Sequence, residues 1–363
     1  MGDCKVSIIS SLEDWKGLSG AWNDVLSKSG SDTLFLTWEW LYSWAECYLN
    51  GNRSLFILTV SSNGELVGIA PWSVRHIDLK AFTLKQIEFL GTPETGSDYL
   101  DVFIKRGKER EVTECIYDFL LKDVPTLWDY FSLTDIPSNS LFLLHLLNRI
   151  NSEGKYAEVN QGAYCPIVFL PESGADFISS LSPNRRQQFR RHYNVLGRSG
   201  ATEHYCSFPS RDKQASLQEF LSFYKAKKKQ DDGRLPVFIE NFASRCTDDK
   251  TIRVDLLKSG GNPIAGILHL RYQNTLSLYL MATDKAFNPK ISIGNILVGL
   301  CISSTRGEGI STYDFLKGSE SYKFHWANGG RSSVKILFCR KKIIPILFVI
   351  KNFLKYTAKV IFR

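Results

Sequence analysis

The chain has 363 residues, which is long enough for two domains or for one large α/β domain. Apolar residues make up 44% and charged residues 23%, proportions that are ordinary for a protein with a buried core and argue against long disordered segments. The net charge of +8 lies in the C-terminal segment 335–363, which holds eight Lys or Arg and no acid; the other 37 bases balance 37 acids. A neutral body argues against a general nucleic-acid-binding surface.

The eight cysteines are scattered, with no CxxC pair and no histidine at zinc-finger spacing. This pattern argues against a metal site or a disulfide framework and predicts reduced thiols. Because residues 1–18 contain no long apolar run, we expect no secretory signal and a cytoplasmic location.

The first half of the chain alternates helical and strand-like segments. Three Trp in seven residues, with Trp40, Trp44 and Tyr48 at helical spacing, predict an aromatic helix that begins after Thr37. Asn63-Gly64 predicts a tight hairpin turn between two strands. The elements expected here are helical structure over 12–50 and 107–122 and 139–151, and strands over 54–60, 65–74, 85–90, 98–104 and 128–134.

The second half repeats this order of elements. Ser182-Pro183 predicts the start of a helix, with Ser at the N-cap and Pro in the first turn. Further helices are expected over 214–230 and 294–306, and strands over 251–257, 264–272, 275–282 and 310–316. Val67-Gly68-Ile69 and Ala265-Gly266-Ile267 follow corresponding hairpin turns, so a duplicated α/β unit is favoured over a single mixed domain.

A strand, a loop and a helix start follow one another between Leu276 and Asn295. The first backbone N–H groups of a helix lack intrahelical partners and carry partial positive charge, so a pyrophosphate could bind there. Lys290, Ser292, Gly294 and Asn295 are therefore the candidate cofactor-binding residues. The alternative is an ordinary loop between a strand and a helix.

Charged and aromatic residues are concentrated in the segment from Tyr313 to Trp326. Asp314 falls within an apolar run, where a carboxylate needs a partner. Lys323 stands between two aromatic residues, where it could stabilise developing negative charge. The alternative is a surface loop with a solvated lysine and packed aromatic side chains.

This segment, DFLKGSESYKFHW, resembles the D-F-L-x-G-x-x-x-Y-K-x-x-W signature of the CelD-like acetyltransferases. That family is a branch of the GNAT superfamily and is related to the Fem peptidyltransferases. Phe35 to Trp44 is similar to the aromatic helix near the start of the family, and Ser182 to Leu196 to its Arg-rich helix. Lys290 to Asn295 stands where GNAT enzymes carry R/Q-x-x-G-x-G/A and keeps one of its glycines.

The resemblance implies an α/β fold of two GNAT-like lobes, which we place at 1–152 and 153–334. It implies acyl transfer to an amine or hydroxyl, usually from a thioester such as acetyl-CoA, in polysaccharide or cell-envelope biosynthesis. Lys323, Asp314 and Tyr322 become the candidate catalytic residues, and Glu320 and Trp326 candidate substrate-binding residues. The sequence shows no recognisable Ser/His/Asp or Cys/His arrangement. We therefore expect the acceptor to attack the acyl donor directly, without a covalent enzyme intermediate.

The Arg-rich helix has no acidic residue between Asp176 and Glu203. Arg186 and Arg190 are one turn apart and could hold an anionic acceptor, such as a nucleotide-linked sugar, with forked donors. The alternative is a solvated basic face.

The tail, 335–363, is predicted to be basic and amphipathic, and Pro345 limits its continuous helix to about 346–363. Lys351, Lys355, Lys359 and Arg363 share one helical face at i, i+4 spacing. Such a helix suits an anionic membrane surface and would place the protein at the inner membrane face. The alternative is a terminal helix docked on the body.

Two alternatives to the acetyltransferase remain open. One is a Fem-like enzyme that uses aminoacyl-tRNA, which is the only nucleic-acid partner expected. The other is a non-catalytic, membrane-associated partner of polysaccharide assembly.

Overall fold

The computed structural model describes residues 4–79, 82–171, 177–200, 202–207, 213–228 and 233–340. The chain forms two compact units. The first comprises Met1–Gly162 and Ser332–Arg363, and the second comprises Ala163–Arg331. The chain thus leaves the first unit ten residues beyond the expected border at 152 and re-enters it just before 334.

The described residues form helices and strands in alternation. The helices are α1 (Leu12–Lys16), α2 (Ser19–Ser27), α3 (Trp38–Tyr48), α4 (Glu109–Lys122), α5 (Leu141–Ser152), α6 (Phe177–Ser180), α7 (Pro183–Arg198), α8 (Lys213–Lys227), α9 (Arg234–Arg245), α10 (Ile293–Ser304) and α11 (Ser321–Trp326), with a 3₁₀ turn at Leu34–Leu36. The strands are β1 (Cys4–Ile9), β2 (Arg53–Leu55), β3 (Ile57–Ser62), β4 (Glu65–Ala70), β5 (Trp72–Asp78), β6 (Thr83–Phe89), β7 (Phe103–Ile104), β8 (Tyr130–Pro137), β9 (Ala157–Phe169), β10 (Thr202–Cys206), β11 (Ile252–Ser259), β12 (Asn262–Tyr272), β13 (Thr275–Thr283), β14 (Thr312–Asp314) and β15 (Gly329–Cys339).

In the first unit, the aromatic helix is α3. Thr37 caps it by accepting a hydrogen bond from the Trp40 amide, as predicted. Trp40 and Trp44 are fully buried, and the Trp40 indole donates to the Ser97 hydroxyl at 2.9 Å. The aromatic run therefore builds the core of this unit.

The Asn63-Gly64 turn joins β3 to β4 as predicted, and both residues have positive φ. The hairpin belongs to a four-stranded antiparallel sheet with the order β1-β3-β4-β7. The other strands of the unit follow the order β15-β8-β6-β5-β2, in which only β6 and β8 are parallel.

Several predicted boundaries were wrong in this unit. The helical region 12–50 is three α-helices and a 3₁₀ turn rather than a continuous run, and 98–104 is a strand only at Phe103–Ile104. The strand expected over 65–74 is divided at Pro71, which cannot donate a ladder hydrogen bond. Strand β1 went unrecognised, because half of its side chains are partly exposed and its pattern is weak.

In the second unit, the strands have the order β10-β11-β12-β13-β14-β9, and all neighbours are antiparallel except β13 and β14. Helix α10 is buried against this sheet and contacts α7 and α6. Helix α8 also packs on β11, β12 and β13. A Cβ at Gly266 would lie 2.9 Å from the Phe220 ring, so this glycine lets α8 approach β12.

Gly68 and Gly266, the glycines of the two similar tripeptides that follow the hairpin turns, have the same packing role in their own units. A Cβ at Gly68 in β4 would lie 2.6 Å from Val112 of α4, just as one at Gly266 would meet α8. In each unit the small residue lets a helix pack closely on a strand.

The tail prediction needs one correction. Lys335 to Cys339 belong to β15 and pair with β8, because Ile336 and Phe338 face the core of the first unit. The amphipathic helix predicted for the rest of the tail lies outside the described residues. No helix in the described part of the chain is long and apolar enough to cross a membrane.

Candidate active site

A cavity of about 540 Å³ opens in the second unit where β13 ends and α10 begins. Its wall combines the end of β13, the connecting loop, the first turn of α10 and one side chain of α11: Met281, Thr283, Asp284, Lys285, Asn288, Pro289, Lys290, Ile291, Ser292, Ile293, Gly294, Asn295 and Tyr322. The cavity thus collects the four residues predicted to bind a cofactor and one of the three predicted to be catalytic.

The start of α10 gives the cavity an electropositive wall. Ser292 is the N-cap, and its side chain accepts no hydrogen bond from the helix. A Cβ at Gly294 would stand 3.2 Å from the Thr283 side chain, so the glycine lets the helix begin close to β13. Unpaired N–H groups at a helix start attract anions.

The strands beside the cavity differ in length. The parallel ladder of β13 and β14 begins at Thr275–Thr312 and ends at Ser277–Asp314, where β14 ends, whereas β13 continues to Thr283. The far part of β13 therefore runs beyond β14 toward the cavity, where Met281 and Thr283 form part of the wall.

Tyr322 enters the cavity from α11. Its ring packs edge-on against Phe315, with the ring centroids 6.1 Å apart. Burial, and to a lesser extent the charge of Glu320, raises the pKa of Tyr322 above its usual value. The phenol is therefore protonated at neutral pH and is a weaker acid than an exposed tyrosine.

Asp314 closes the turn that leads to α11. Its carboxylate accepts a hydrogen bond of 2.7 Å from the Leu316 amide, and Leu316 has the positive φ of 56° that this turn requires. Asp314 is only 1% exposed and is not among the residues that line the cavity.

The Lys323 ammonium sits under the same turn, 4% exposed. It donates to the Lys317 carbonyl at 2.7 Å, lies 3.5 Å from the Leu316 carbonyl, and pairs with Glu320 at 3.1 Å. Gly318, at φ 145°, passes so close that a Cβ there would clash with the Lys323 and Glu320 side-chain termini. Lys323 and Glu320 thus stabilise the loop that precedes α11, and α11 carries Tyr322.

Trp326 lies at the other end of α11, 1% exposed. Its indole N–H points to the Asn295 Oδ1 at 3.4 Å, so it connects α11 to the cavity wall.

The predicted acceptor-binding arginines lie on α7 and do not line the cavity. Arg186 donates to the Ser179 carbonyl at 2.8 Å, whereas Arg190 is exposed. On the same helix, Phe189 and Leu196 pack into the core of the second unit, whereas Tyr193 is 48% exposed.

A buried polar network went unrecognised in the sequence. Fully buried Asp255 lies 3.0 Å from both His204 and His269, and His269 Nε2 lies 2.8 Å from the Tyr313 hydroxyl. Arg253 donates to both oxygens of Asp255. Burial would raise the pKa of Asp255, but hydrogen bonds from the histidines and the charge of Arg253 hold it well below its usual range.

Three groups of this network have the chemistry of metal ligands. Atoms of His204, Asp255 and Cys301 lie within 4.8 Å of one another. Yet Arg253 already neutralises Asp255, and burial raises the pKa of the Cys301 thiol well above its usual value. The network is therefore balanced in charge by protein groups. Its members come from β10, β11, β12, β14 and α10, and spacing along the chain gave no signal for it.

Residues 183–324 match the family described as an acetyltransferase (GNAT) domain. This is the CelD-like family to which the sequence showed a resemblance, and the match covers α7 through most of α11. It contains the cavity residues, the turn at Asp314 and the buried network. Comparison with curated proteins finds no match.

Two solved structures are similar over most of the chain. A crystal structure of FemX has 11% sequence identity and a TM-score of 0.59, and the alignment covers 94% of this chain and 99% of that chain. The C-terminal domain of a putative lysylphosphatidylglycerol synthetase from Agrobacterium fabrum has 9% identity and a TM-score of 0.51, with 94% and 95% covered. At these identities the likeness concerns the fold alone, which is mixed α/β and similar to that of FemX.

Residues 183–324 thus match a GNAT acetyltransferase domain, and this match identifies the chain as an acyltransferase enzyme.

Proposed function

We propose that this chain transfers an acyl group from acetyl-CoA or another acyl-CoA to an amine or hydroxyl of a small or sugar-linked acceptor. The observation that carries the proposal is the cavity at the start of α10, which combines an anion-attracting helix end with the half-buried, protonated side chain of Tyr322. The resemblance to CelD-like enzymes supports a place in polysaccharide or cell-envelope biosynthesis.

The start of α10 would hold the donor. Its free N–H groups suit a pyrophosphate, and Lys290 adds a positive charge at the mouth of the cavity. The end of β13, beyond its last pair with β14, would lie along the extended arm that carries the thioester. Asn295 is oriented by Trp326 and would contact the donor from the helix side.

Tyr322 would assist departure of the leaving group. An acceptor amine or hydroxyl attacks the thioester carbonyl, the carbon–sulfur bond breaks, and the sulfur leaves as a thiolate. Tyr322 gives its proton to this thiolate, and the resulting phenolate recovers the proton that the acceptor loses. The phenol arrives protonated, and because its raised pKa makes the phenolate a strong base, the phenolate readily takes up the proton that the acceptor loses.

Asp314 and Lys323 would contribute through the turn that they hold. The prediction that Lys323 stabilises the oxyanion directly stays a prediction, since its ammonium is already surrounded by loop oxygens. Arg186 and Arg190 stay predicted acceptor contacts, with Arg190 the more accessible.

A binding and turnover experiment tests the proposal. Acetyl-CoA should stabilise the full chain, by about 2.7 kcal/mol at a hundred times its Kd. Coenzyme A release in the presence of a panel of amino sugars should fall about 10²-fold or more in Tyr322→Phe, because a proton donor in the transition state contributes 10²–10⁴-fold. Donor affinity should change less than twofold.

Tyr156→Phe is the matched control, since Tyr156 is 79% exposed and belongs to the first unit. It should release coenzyme A at the wild-type rate. Stabilisation by aminoacyl-tRNA and not by acyl-CoA would favour the Fem-like alternative. Binding of neither donor would favour the non-catalytic partner.

A further inference from the structure

One acidic side chain stands in the wall of the cavity, among residues that otherwise favour an anion. Asp284 follows directly after β13, and it is the only acid among the described residues that line the cavity. The other charged residues of the wall are Lys285 and Lys290, and the start of α10 adds partial positive charge. An uncompensated carboxylate at this place would repel the phosphate groups of the proposed donor.

Lys227 compensates the charge of Asp284. It is the last residue of α8 and does not line the cavity. Its Nζ lies 2.9 Å from Asp284 Oδ2, and the two side chains are 34% and 30% exposed. The ammonium also lies 5.8 Å from the centroid of the Phe223 ring, one turn earlier on α8. The hydrogen bond from Lys227 is the main cause that lowers the pKa of Asp284, so the pair is ionised at neutral pH.

The remaining contacts of Asp284 belong to the loop between β13 and α10, residues 284–292, which we call the donor loop. Asp284 Oδ1 accepts a hydrogen bond of 3.1 Å from the Ala286 amide. The Asp284 amide donates to the Ile264 carbonyl at 2.7 Å, and its carbonyl accepts from the Phe287 amide at 3.2 Å. Both carboxylate oxygens therefore have partners within the protein.

The middle of the donor loop is held independently of Lys227. The Asn288 side-chain amide donates to the hydroxyl of Ser199, the last cap of α7, at 3.2 Å. Asn288 Oδ1 accepts from the Lys290 amide at 3.0 Å. Because α7 holds the loop by this second contact, the effect of Lys227 on charge can be separated from an effect on loop position.

We infer that Lys227 is a positioning residue for the acyl donor, which acts by cancelling the charge of Asp284 in the cavity wall. The positive charges of Lys285 and Lys290 then face the donor without a competing anion. The inference rests on the proposed acyl-CoA donor. It specifies that the donor is recognised by its phosphate charge, so that a pantetheine thioester without phosphate would gain nothing from the pair.

Coenzyme A, which carries phosphate charge, and pantetheine, which has none, are the probes for the test. In the full chain with Lys227→Met, the Kd for coenzyme A should rise by about tenfold or more, and the Kd for pantetheine should change by less than about twofold. Titration calorimetry measures the first and NMR titration the second. The loss should shrink at high salt, and the KM for acetyl-CoA should rise by more than kcat falls.

Three further variants separate charge from structure. Lys227→Met/Asp284→Asn removes both charges and keeps an oxygen for the Ala286 amide, so coenzyme A affinity should return to within about threefold of the wild type. Lys227→Arg keeps the pair and should also stay within about threefold. Lys225→Met removes an exposed lysine of the same helix and should change the affinity by less than about twofold.

Three outcomes would overturn the inference: unchanged coenzyme A affinity in Lys227→Met, equal losses for coenzyme A and pantetheine, or a double variant as weak as Lys227→Met. The last two would show that Lys227 supports the loop and does not act through the charge of Asp284. Each of them, with normal coenzyme A binding by the wild type, leaves the proposed function standing. Absence of coenzyme A binding in the wild type would instead contradict the proposed function, and the role of Lys227 with it.

Discussion

At the scale of single residues, the side chains of the signature segment, 314–326, have two kinds of role. Tyr322 lines the cavity, whereas Asp314 and Lys323 hold the turn from which α11 begins. A buried ammonium is tolerated here because carbonyl oxygens and Glu320 replace its hydration. The motif therefore contains both the proposed proton donor, Tyr322, and the residues that support its helix.

Lys323→Met tests this division. Methionine keeps the apolar stem and removes the donor, so the loop carbonyls lose their partner. We expect a loss of roughly 1–3 kcal/mol of unfolding free energy, which is the cost of leaving buried polar groups unsatisfied. Coenzyme A release should slow as the support of Tyr322 relaxes. Denaturant unfolding and steady-state turnover measure the two effects.

Lys250→Met, a change at an exposed lysine, is the control and should leave both values near the wild type. A fall of about 10²-fold in turnover with unchanged stability would contradict the supporting role. It would instead favour direct stabilisation of the oxyanion.

At the scale of elements, the site depends on three helices that meet through one small residue. Gly299 of α10 contacts the rings of Phe189 on α7 and Trp326 on α11. Trp326 in turn reaches Asn295 at the cavity wall. The basic face of α7 and the cavity are thus parts of one packed arrangement within the second unit.

Gly299→Ala should be destabilising even though alanine favours helices. The added methyl would stand 2.3 Å from the Phe189 ring, which has to move. Overpacking of this kind costs typically 1–3 kcal/mol. Thermal unfolding of the purified chain measures the loss.

Gly197→Ala is the matched change in α7, because nothing lies within 4 Å of the Cβ position there. It should raise stability by roughly 0.5–1 kcal/mol through helix propensity alone. If both substitutions were stabilising, the contact at Gly299 would not constrain the packing.

At the scale of the whole molecule, the excess positive charge is concentrated in the C-terminal segment, most of which lies outside the described residues. The segment 341–363 carries six Lys or Arg and no acid, while β15 accounts for Lys335. We propose that this segment binds an anionic membrane surface, which would bring the enzyme to lipid-linked acceptors. Basic residues near such a surface contribute about 1 kcal/mol each.

A truncation tests the tail. The full chain should bind vesicles that contain anionic phosphatidylglycerol at low salt, and a chain that ends at Arg340 should not. The cut falls after β15, since a cut at Val334 would remove part of that strand. Co-sedimentation measures the binding, and high salt should reverse it.

A full-length variant with Lys351, Lys355, Lys359 and Arg363 changed to Gln keeps the apolar residues and loses the charged face. It should bind anionic vesicles much more weakly than the wild type. Equal sedimentation of the full and truncated chains would favour a tail docked on the body.

The amino-acid sequence by itself determined the elements whose causes are local. The Thr37 cap, the Asn63-Gly64 hairpin and the start of α7 at Pro183 each depend on the chemistry of neighbouring residues, and the structure has them where expected. The loop before α10 could also be selected from its order of strand, loop and helix. The acyltransferase class followed from the resemblance of residues 314–326 to the CelD-like signature, and the family match covers that segment through residue 324.

Only the tertiary structure decided which of these residues share a site. Tyr322 joins the loop at Lys290 because α11 packs beside α10, and Lys323 turns toward carbonyls that are close to it only in the folded loop. Asp255, His204, His269 and Tyr313 stand on four strands and meet through sheet register, to which the chain order gives no guide. Contacts between distant segments depend on which faces pack together, and a pattern of neighbours along the chain does not contain that information.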